Sequence, residues 1–520
     1  MRRDEMVRKI RERAAQQKPW DIAIIGGGAT GMGVAVDAAA RGLDVVLIEA
    51  HDFGKGTSSR STKLVHGGVR YLEQGNVSLV MSALKERGLL RQNAPHLVHD
   101  LAFVVPNYSW WEAPFYGIGL KLYDLLAGKY GFGVSKVLTK EETLELLPAL
   151  EPEELRGGVI YYDGQFDDAR LLIHLAMTAA DHGATLVNYF PAIGLLRDPD
   201  GYINGVTARD EETGESFTLA ARMVVNATGV FTDSVRRMAD AHADPLVVTS
   251  QGIHLVFDRS FLRGDTALMV PRTSDGRVLF VIPWHGHAVA GTTDTPVDAP
   301  SLEPRPLEEE IEFILETASR YLTRPPTRAD VLAVYVGLRP LVKGEGKTSA
   351  LSRDHVIHVD TSGLLTITGG KWTTYRHMAE DCVDHAITLG HLRDEPCATR
   401  NLRIHGYLKS AADEGPLDVY GSDAEQIRAL ARDAQLGVQL QPALPYIAAE
   451  VVWAARNEMA RSVEDILARR TRALFLNADA AIAMAEPVAR LLAGELGYND
   501  AWIATQVTEF RALAQQYRVA

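Results

Sequence analysis

The apolar run Ile22-Ala23-Ile24-Ile25 passes directly into Gly26-Gly27-Gly28-Ala29-Thr30-Gly31 and then into small residues as far as Ala40. This pattern predicts a strand, a tight turn and a helix. A second strand is expected over 43–48, ending at Glu49. Similar apolar runs recur far along the chain. Residues 223–226 lead into the small turn Ala227-Thr228-Gly229. Residues 278–284 and 287–294 flank His285-Gly286, a pair suited to a hairpin. Residues 364–368 run into Gly369-Gly370 and an expected helix through about Ala386. From Ala424 to Tyr517 the apolar positions fall at helical spacing among many Ala, Leu, Arg and Glu. The pattern predicts an α/β chain. Residues 1–20 form an N-terminal extension, 21–400 a discontinuous nucleotide-binding domain with an inserted β-rich substrate domain, and 401–520 a separate helical domain. No internal repeat or low-complexity linker is visible.

The first turn fits the G-x-G-x-x-G pattern, with Gly26, Gly28 and Gly31 at its fixed positions. Such glycines let the backbone approach a pyrophosphate, while the helix N-terminus offers unpaired N–H groups to the anion. Glu49 lies 18 residues after Gly31, near the spacing at which a carboxylate meets a ribose 2′-hydroxyl. It favours an unphosphorylated ribose, hence FAD or NAD over NADP. The second turn, Gly369-Gly370-Lys371-Trp372-Thr373-Thr374, opens another helix, whose positive end suits an anionic reduced ring. Between them lies Gly56-Thr57-Ser58-Ser59-Arg60-Ser61-Thr62-Lys63-Leu64-Val65-His66-Gly67-Gly68-Val69-Arg70-Tyr71-Leu72-Glu73. Its hydroxyl cluster and His-Gly-Gly suit a flat ligand and its phosphates; the bland alternative is an ordinary polar loop.

Composition narrows the classes. A chain of 520 residues with 46% hydrophobic content supports a large core and two or three domains. A net charge of −13 and the lack of a basic stripe interleaved with aromatics argue against a nucleic-acid-binding flavoprotein. The two cysteines, Cys382 and Cys397, form no CxxC pair and read as reduced thiols. His285 and His287 have metal-like spacing, but their place near a hairpin, without a carboxylate neighbour in sequence, reads as structural, and no metal site is expected. Residues 1–20 carry seven basic and three acidic side chains without an apolar core, so no signal peptide is expected. No uncharged stretch reaches the ~20 apolar residues that span a bilayer.

The 56–73 segment closely resembles the FAD-dependent glycerol-3-phosphate dehydrogenases. So do Val224-Val225-Asn226-Ala227-Thr228-Gly229, Gly291-Thr292-Thr293-Asp294, Gly337-Leu338-Arg339-Pro340-Leu341, Ser352-Arg353-Asp354 and residues 369–376. The stretches at 458–471 and 476–479 look like that family's helical cap. The resemblance implies an FAD-binding Rossmann-like domain with an inserted β-rich substrate domain, plus a C-terminal all-helical domain. It implies FAD held non-covalently by Gly26, Gly28, Gly31, Glu49, Thr57, Ser58, Ser59, Lys63, Leu64, His66, Gly67, Gly68, Gly229, Gly369, Gly370 and Thr373. Arg70, Arg339 and Arg353 match the family's substrate-grasping arginines, and Tyr71, Thr292 and Lys371 lie at positions that also approach the substrate. A guanidinium matches phosphate oxygens bidentately, so the assignment agrees with charge chemistry.

His254 matches a family histidine near the flavin. Two readings stand: a satisfied structural imidazole, or a base for the C2-hydroxyl proton as hydride passes to the flavin. Arg339 fits a role on the forming alkoxide. Gln251 departs from the basic residue common there. The resemblance also implies glycerol 3-phosphate as substrate, a quinone as electron acceptor, a homodimer, and a cytoplasmic protein lying peripherally on the inner face of the plasma membrane. Tyr108, Trp110, Trp111, Phe115, Tyr116, Tyr123, Tyr130 and Phe132, with Lys121 and Lys129, suit a headgroup interface or else an ordinary packed hairpin. The basic start, from Arg2 to Arg13, reads as a frayed, solvated terminus, with assistance at that interface as the other reading. An oxidase that passes electrons to oxygen is the rival activity. Oxidase relatives tend to carry an extra insertion, and the short path from Arg353 to Lys371 leaves no room for one there. Amine or amino-acid oxidation fits three arginines less well than a phosphate does.

Overall fold

The structure is a computed structural model that describes residues 1–68, 76–109, 112–273, 276–344, 354–409 and 415–519. The chain begins with α1 (Arg3–Ala15), β1 (Trp20–Ile25), α2 (Ala29–Ala40) and β2 (Val45–Ile48). Next come β3 (Val98–Asn107), α3 (Glu112–Ala127), β4 (Gly157–Phe166), α4 (Asp168–Asp181), β5 (Thr185–Val187) and β6 (Ser216–Asn226). Then follow β7 (Val247–Asp258), β8 (Thr266–Val270), β9 (Leu279–Trp284), β10 (His287–Gly291) and β11 (Val331–Val342). β12 (His355–Val359), β13 (Leu365–Gly369) and α5 (Tyr375–Gly390) precede α6 (Ala448–Asn457), α7 (Ala478–Leu496) and α8 (Asp500–Ala514).

One sheet runs β12–β13–β6–β1–β2–β5, parallel along this path except for the β12–β13 edge pair, with an antiparallel hairpin (Ala192–Arg197 and Ile203–Arg209) joined to the start of β6. Its strands are apolar almost throughout because helices cover them: α2 and α5 pack together against the sheet, and every residue of β2 is buried. The second sheet is mainly antiparallel, with β11 beside β7, then β10, β9, β8, β3 and β4. Here the expected hairpin forms: His285 and Gly286 both take positive φ, and β9 pairs with β10 from Trp284↔His287 outward.

The helical C-terminus packs against the second sheet. Leu474, Phe475, Leu476 and Val488 share one buried core with Val256, Ile282 and Tyr335 of the second sheet. It also holds a short hairpin, Gln439–Gln441 with Leu444–Ile447. The N-terminus is not frayed. Met6, Val7 and Ile10 of α1 enter the core of the first sheet, and buried Arg3 pairs with Asp210 at 2.6 Å. Arg3, Met6, Val7 and Ile10 lie at i, i+3, i+4 and i+7, a helical stripe that the basic composition conceals.

Candidate active site

The first glycine turn leaves β1 at Gly26, whose φ is +113° and whose missing Cβ would lie 2.7 Å from Ala227 O. A Cβ on Gly31 would overlap Gly26 O. No side chain fits either place, so glycine is what lets the chain turn this tightly from β1 into α2. Ser58 Oγ accepts from Ala29 N at 2.9 Å beside that helix start. Glu49 Oε2 accepts from Gly27 N at 2.6 Å, Oε1 accepts from His51 N at 2.9 Å, and burial raises the carboxyl's pKa.

The second turn closes on the first. Trp372 Nε1 donates to Ser58 O at 2.8 Å, and His66 N donates to Thr373 Oγ1 at 3.2 Å. Thr373 lies in a short 3₁₀ turn, Trp372–Thr374, and α5 itself begins at Tyr375 rather than within the glycine turn. Together the turns bound a cavity of about 350 Å³ lined by Gly26, Gly28, Glu49, Thr57, Ser58, Gly229, Gly369, Gly370 and Lys371. Bounded by two glycine turns, largely apolar and beside the starts of α2 and α5, it fits a dinucleotide.

Ser59, Lys63, Leu64, His66, Gly67 and Gly68 do not line that cavity. Leu64 pairs with Gln165 of β4, and Gly67 N donates to the Tyr123 hydroxyl at 2.8 Å. The Lys63 side chain points away from the cavity into the core. Its fully buried ammonium donates to Ser59 O at 2.7 Å and to both Asp168 oxygens at 2.8 Å, which uses its hydrogen-bonding capacity inside the core. It holds the segment in shape, as does Ser59 through its carbonyl.

The substrate-facing residues meet on the second sheet. Gly252 of β7 sits opposite Gly337 of β11, and His254 lies between Gly291 of β10 and Tyr335 of β11. Gly252 and His254 point to the same face because strand side chains alternate. A Cβ on Gly252 would fall on Arg339 Nη2 and Thr292 Oγ1, so this glycine lets both groups converge beside His254. Arg339 donates to Asp294 Oδ1 at 3.1 Å, Gln251 O at 3.1 Å, Thr293 O at 2.9 Å and Thr292 Oγ1 at 3.2 Å. Those bonds fix the guanidinium before any ligand arrives. Gln251 itself is held by buried Glu310 at 2.6 Å. His254 Nε2 lies 2.9 Å from Thr62 Oγ1, and the ring stacks on Tyr335 with centroids 4.7 Å apart. Burial, then Lys63, then Arg339 push the imidazole well below its ordinary range, so it is neutral at pH 7.

The structure therefore joins Arg339, Thr292 and His254, and places Lys371 on the cofactor cavity. Arg70, Tyr71 and Arg353 lie outside the described residues, as do Trp110 and Trp111. His285 has a carboxylate partner after all: its Nε2 lies 2.8 Å from Asp167, 118 residues earlier. Among the described residues no cluster could hold a metal ion. Four residues that sequence reasoning passed over complete the site: Thr62, Asp168, Asp294 and Tyr335. Thr62 and Asp294 stand inside segments that carry the family resemblance, and Asp168 left a signal as an acid at the start of an apolar helical run. Another overlooked feature is Asp52, three residues after Glu49. It accepts from Arg469 Nε at 2.5 Å and Arg470 Nη1 at 2.7 Å, which hold its carboxyl well below the usual range and tie the C-terminal helices to the cavity rim.

A family model described as "FAD dependent oxidoreductase" matches residues 21–376, and one described as "C-terminal domain of alpha-glycerophosphate oxidase" matches residues 364–503. Fold and cavity thus define a flavin-dependent oxidoreductase, with FAD as its cofactor. A mitochondrial glycerol-3-phosphate dehydrogenase of Arabidopsis thaliana is 42% identical over 527 residues, covering 93% of this chain and 84% of its own. The mitochondrial enzyme of Homo sapiens is 42% identical over 518 residues, covering 92% and 71%. The solved glycerol-3-phosphate dehydrogenase of Bacillus halodurans, complexed with FAD, superposes with a TM-score of 0.80 at 30% identity over 99% of this chain and 97% of that one. The chain belongs to the FAD-dependent glycerol-3-phosphate dehydrogenase family.

Proposed function

We propose that this protein oxidises sn-glycerol 3-phosphate to dihydroxyacetone phosphate and passes the electrons to a quinone at a membrane surface. The observation that carries the reading is the convergence of Arg339, Thr292 and neutral His254 on one sheet face, in a chain that also builds the FAD cavity. Bound FAD supplies the hydride acceptor. Arg339, fixed by its four acceptors, offers positive charge to the phosphate or to the forming alkoxide without reorganising. His254 takes the C2-hydroxyl proton, a role open to it because its surroundings keep it uncharged. Glycine turns and helix starts hold the cofactor's pyrophosphate, with Lys371 on the cavity wall.

The quinone and membrane part is supported by α3. Its inner face buries Leu120, Tyr123 and Ala127, while Phe115, Ile118, Leu122 and Leu125 form an outer apolar stripe, Ile118 and Leu125 being 74% and 76% exposed. Lys121 and Lys129 flank that stripe, the composition of a surface that rests in headgroups. No helix among the described residues is long and apolar enough to cross a bilayer. The rival reading, transfer to oxygen with peroxide formed, takes its support from the description of the C-terminal family model.

One experiment tests both. Glycerol 3-phosphate added without oxygen is expected to bleach the flavin absorbance of the yellow holoprotein. An unbleached, FAD-loaded protein overturns the activity, and stoichiometric peroxide on admitting oxygen replaces quinone by oxygen as acceptor.

A further inference from the structure

Three consecutive residues meet the His254–Tyr335 stack. The Tyr335 hydroxyl donates to Ser61 O at 3.2 Å, Thr62 Oγ1 lies 2.9 Å from His254 Nε2, and Lys63 Nζ lies 5.0 Å from the Tyr335 ring centroid. Asp168, fully buried in the first turn of α4, anchors the two residues that flank Thr62. Its carboxylate accepts from Ser61 N at 3.0 Å, Ser61 Oγ at 2.7 Å and Lys63 Nζ at 2.8 Å. The helix start favours the negative charge there.

His254 is only 2% exposed, and its Nδ1 is sealed from solvent without a hydrogen-bond partner among the described residues. Thr62 is partly exposed. A proton that reaches the ring therefore enters at Nε2, and Thr62 is the group that stands there.

We propose that Thr62 relays the substrate's C2-hydroxyl proton to His254, and that Lys63, clamped by Asp168 beside Tyr335, keeps the ring ready to receive it. The substrate hydroxyl gives its proton to Thr62 Oγ1 as the Thr62 proton passes to His254 Nε2. The C2 hydrogen leaves with its electron pair for the flavin, so the alcohol becomes a ketone and the imidazole gains one proton. The charged groups facing His254 are Lys63 from the 61–63 segment and Arg339 from β11, each partly offset by its own carboxylate, Asp168 and Asp294. Across the sheet the ring stands beside Gly291 of β10 and the neutral phenol Tyr335 of β11.

The inference rests on His254 acting as the base, and the variants separate the two claims. Anaerobic flavin reduction by glycerol 3-phosphate is followed across pH in the holoprotein. Thr62→Val is expected to slow reduction by about 10- to 100-fold with FAD content and KM little changed, and Thr62→Ser to restore it to within about 3-fold. Because only the neutral ring accepts a proton, the rate falls as pH drops through its pKa. Removing the Lys63 charge raises that pKa, so in Lys63→Met the acid limb is expected about one pH unit higher. A wild-type rate in Thr62→Val, or no recovery in Thr62→Ser, overturns the relay. An unmoved limb in Lys63→Met overturns the part given to Lys63. If Lys63→Met does not fold, the Thr62 pair still decides the relay. A wild-type rate in His254→Ala removes the base reading itself, and the relay with it.

Discussion

The two walls of the active site are made of different material. The cofactor wall is shaped by backbone: glycine turns at the ends of parallel strands, where no side chain fits at Gly26 or Gly31. The substrate wall is side chain, and its members are already bonded to one another, Arg339 to Asp294 and His254 to Thr62. The first wall is vulnerable to added atoms and the second to removed ones. A large, flat, invariant ligand suits a surface that excludes side chains. A small, charged ligand whose bonds are changing needs groups held in place beforehand, which only mutual hydrogen bonds provide.

Adding one methyl to the backbone wall is expected to give the largest effect. Gly31→Ala places a Cβ on Gly26 O, so the protein is expected to purify colourless, with FAD affinity reduced at least about 10³-fold. Circular dichroism should still report the folded chain. A yellow Gly31→Ala protein breaks the contrast. Taking atoms from the other wall comes next. Arg339→Ala is expected to keep FAD and to lower kcat/KM for glycerol 3-phosphate by about 10²- to 10³-fold, or about 3 to 4 kcal/mol. Loss of flavin there would move Arg339 to the cofactor wall. The smallest effect is expected at neither wall. Ile118→Glu with Leu125→Glu should weaken cosedimentation with anionic lipid vesicles by about 10- to 100-fold, with anaerobic bleaching unchanged. Undiminished vesicle binding removes α3 as the membrane surface.

What was legible in the sequence follows the same division. Gly26, Gly31, Gly369 and Gly370 announce themselves because a backbone site is local: strand, turn and helix lie within a few residues. The substrate wall depends on pairs such as Thr62 with His254, 192 residues apart, whose register no local pattern encodes. Arg339 was found by resemblance; Asp294 stood in a quoted motif, but nothing local said that it clamps Arg339. Lys63 was assigned to the cofactor through the resemblance, and the partner that occupies its ammonium, Asp168, lies 105 residues away, beyond any local pattern. The N-terminal helix was misread for the opposite reason, since its apolar stripe was present but outweighed by charge.

The bond from Trp372 to Ser58 spans 314 residues, and β13 takes its place beside β6 only when both exist. On the ribosome this sets an order of events. The nascent chain can fold its first strand–turn–helix early, yet the pocket has no far wall until residue 375 has emerged. Flavin capture therefore falls late in synthesis, and a ribosome that stops in the middle third releases a chain with half a pocket and nothing to fill it.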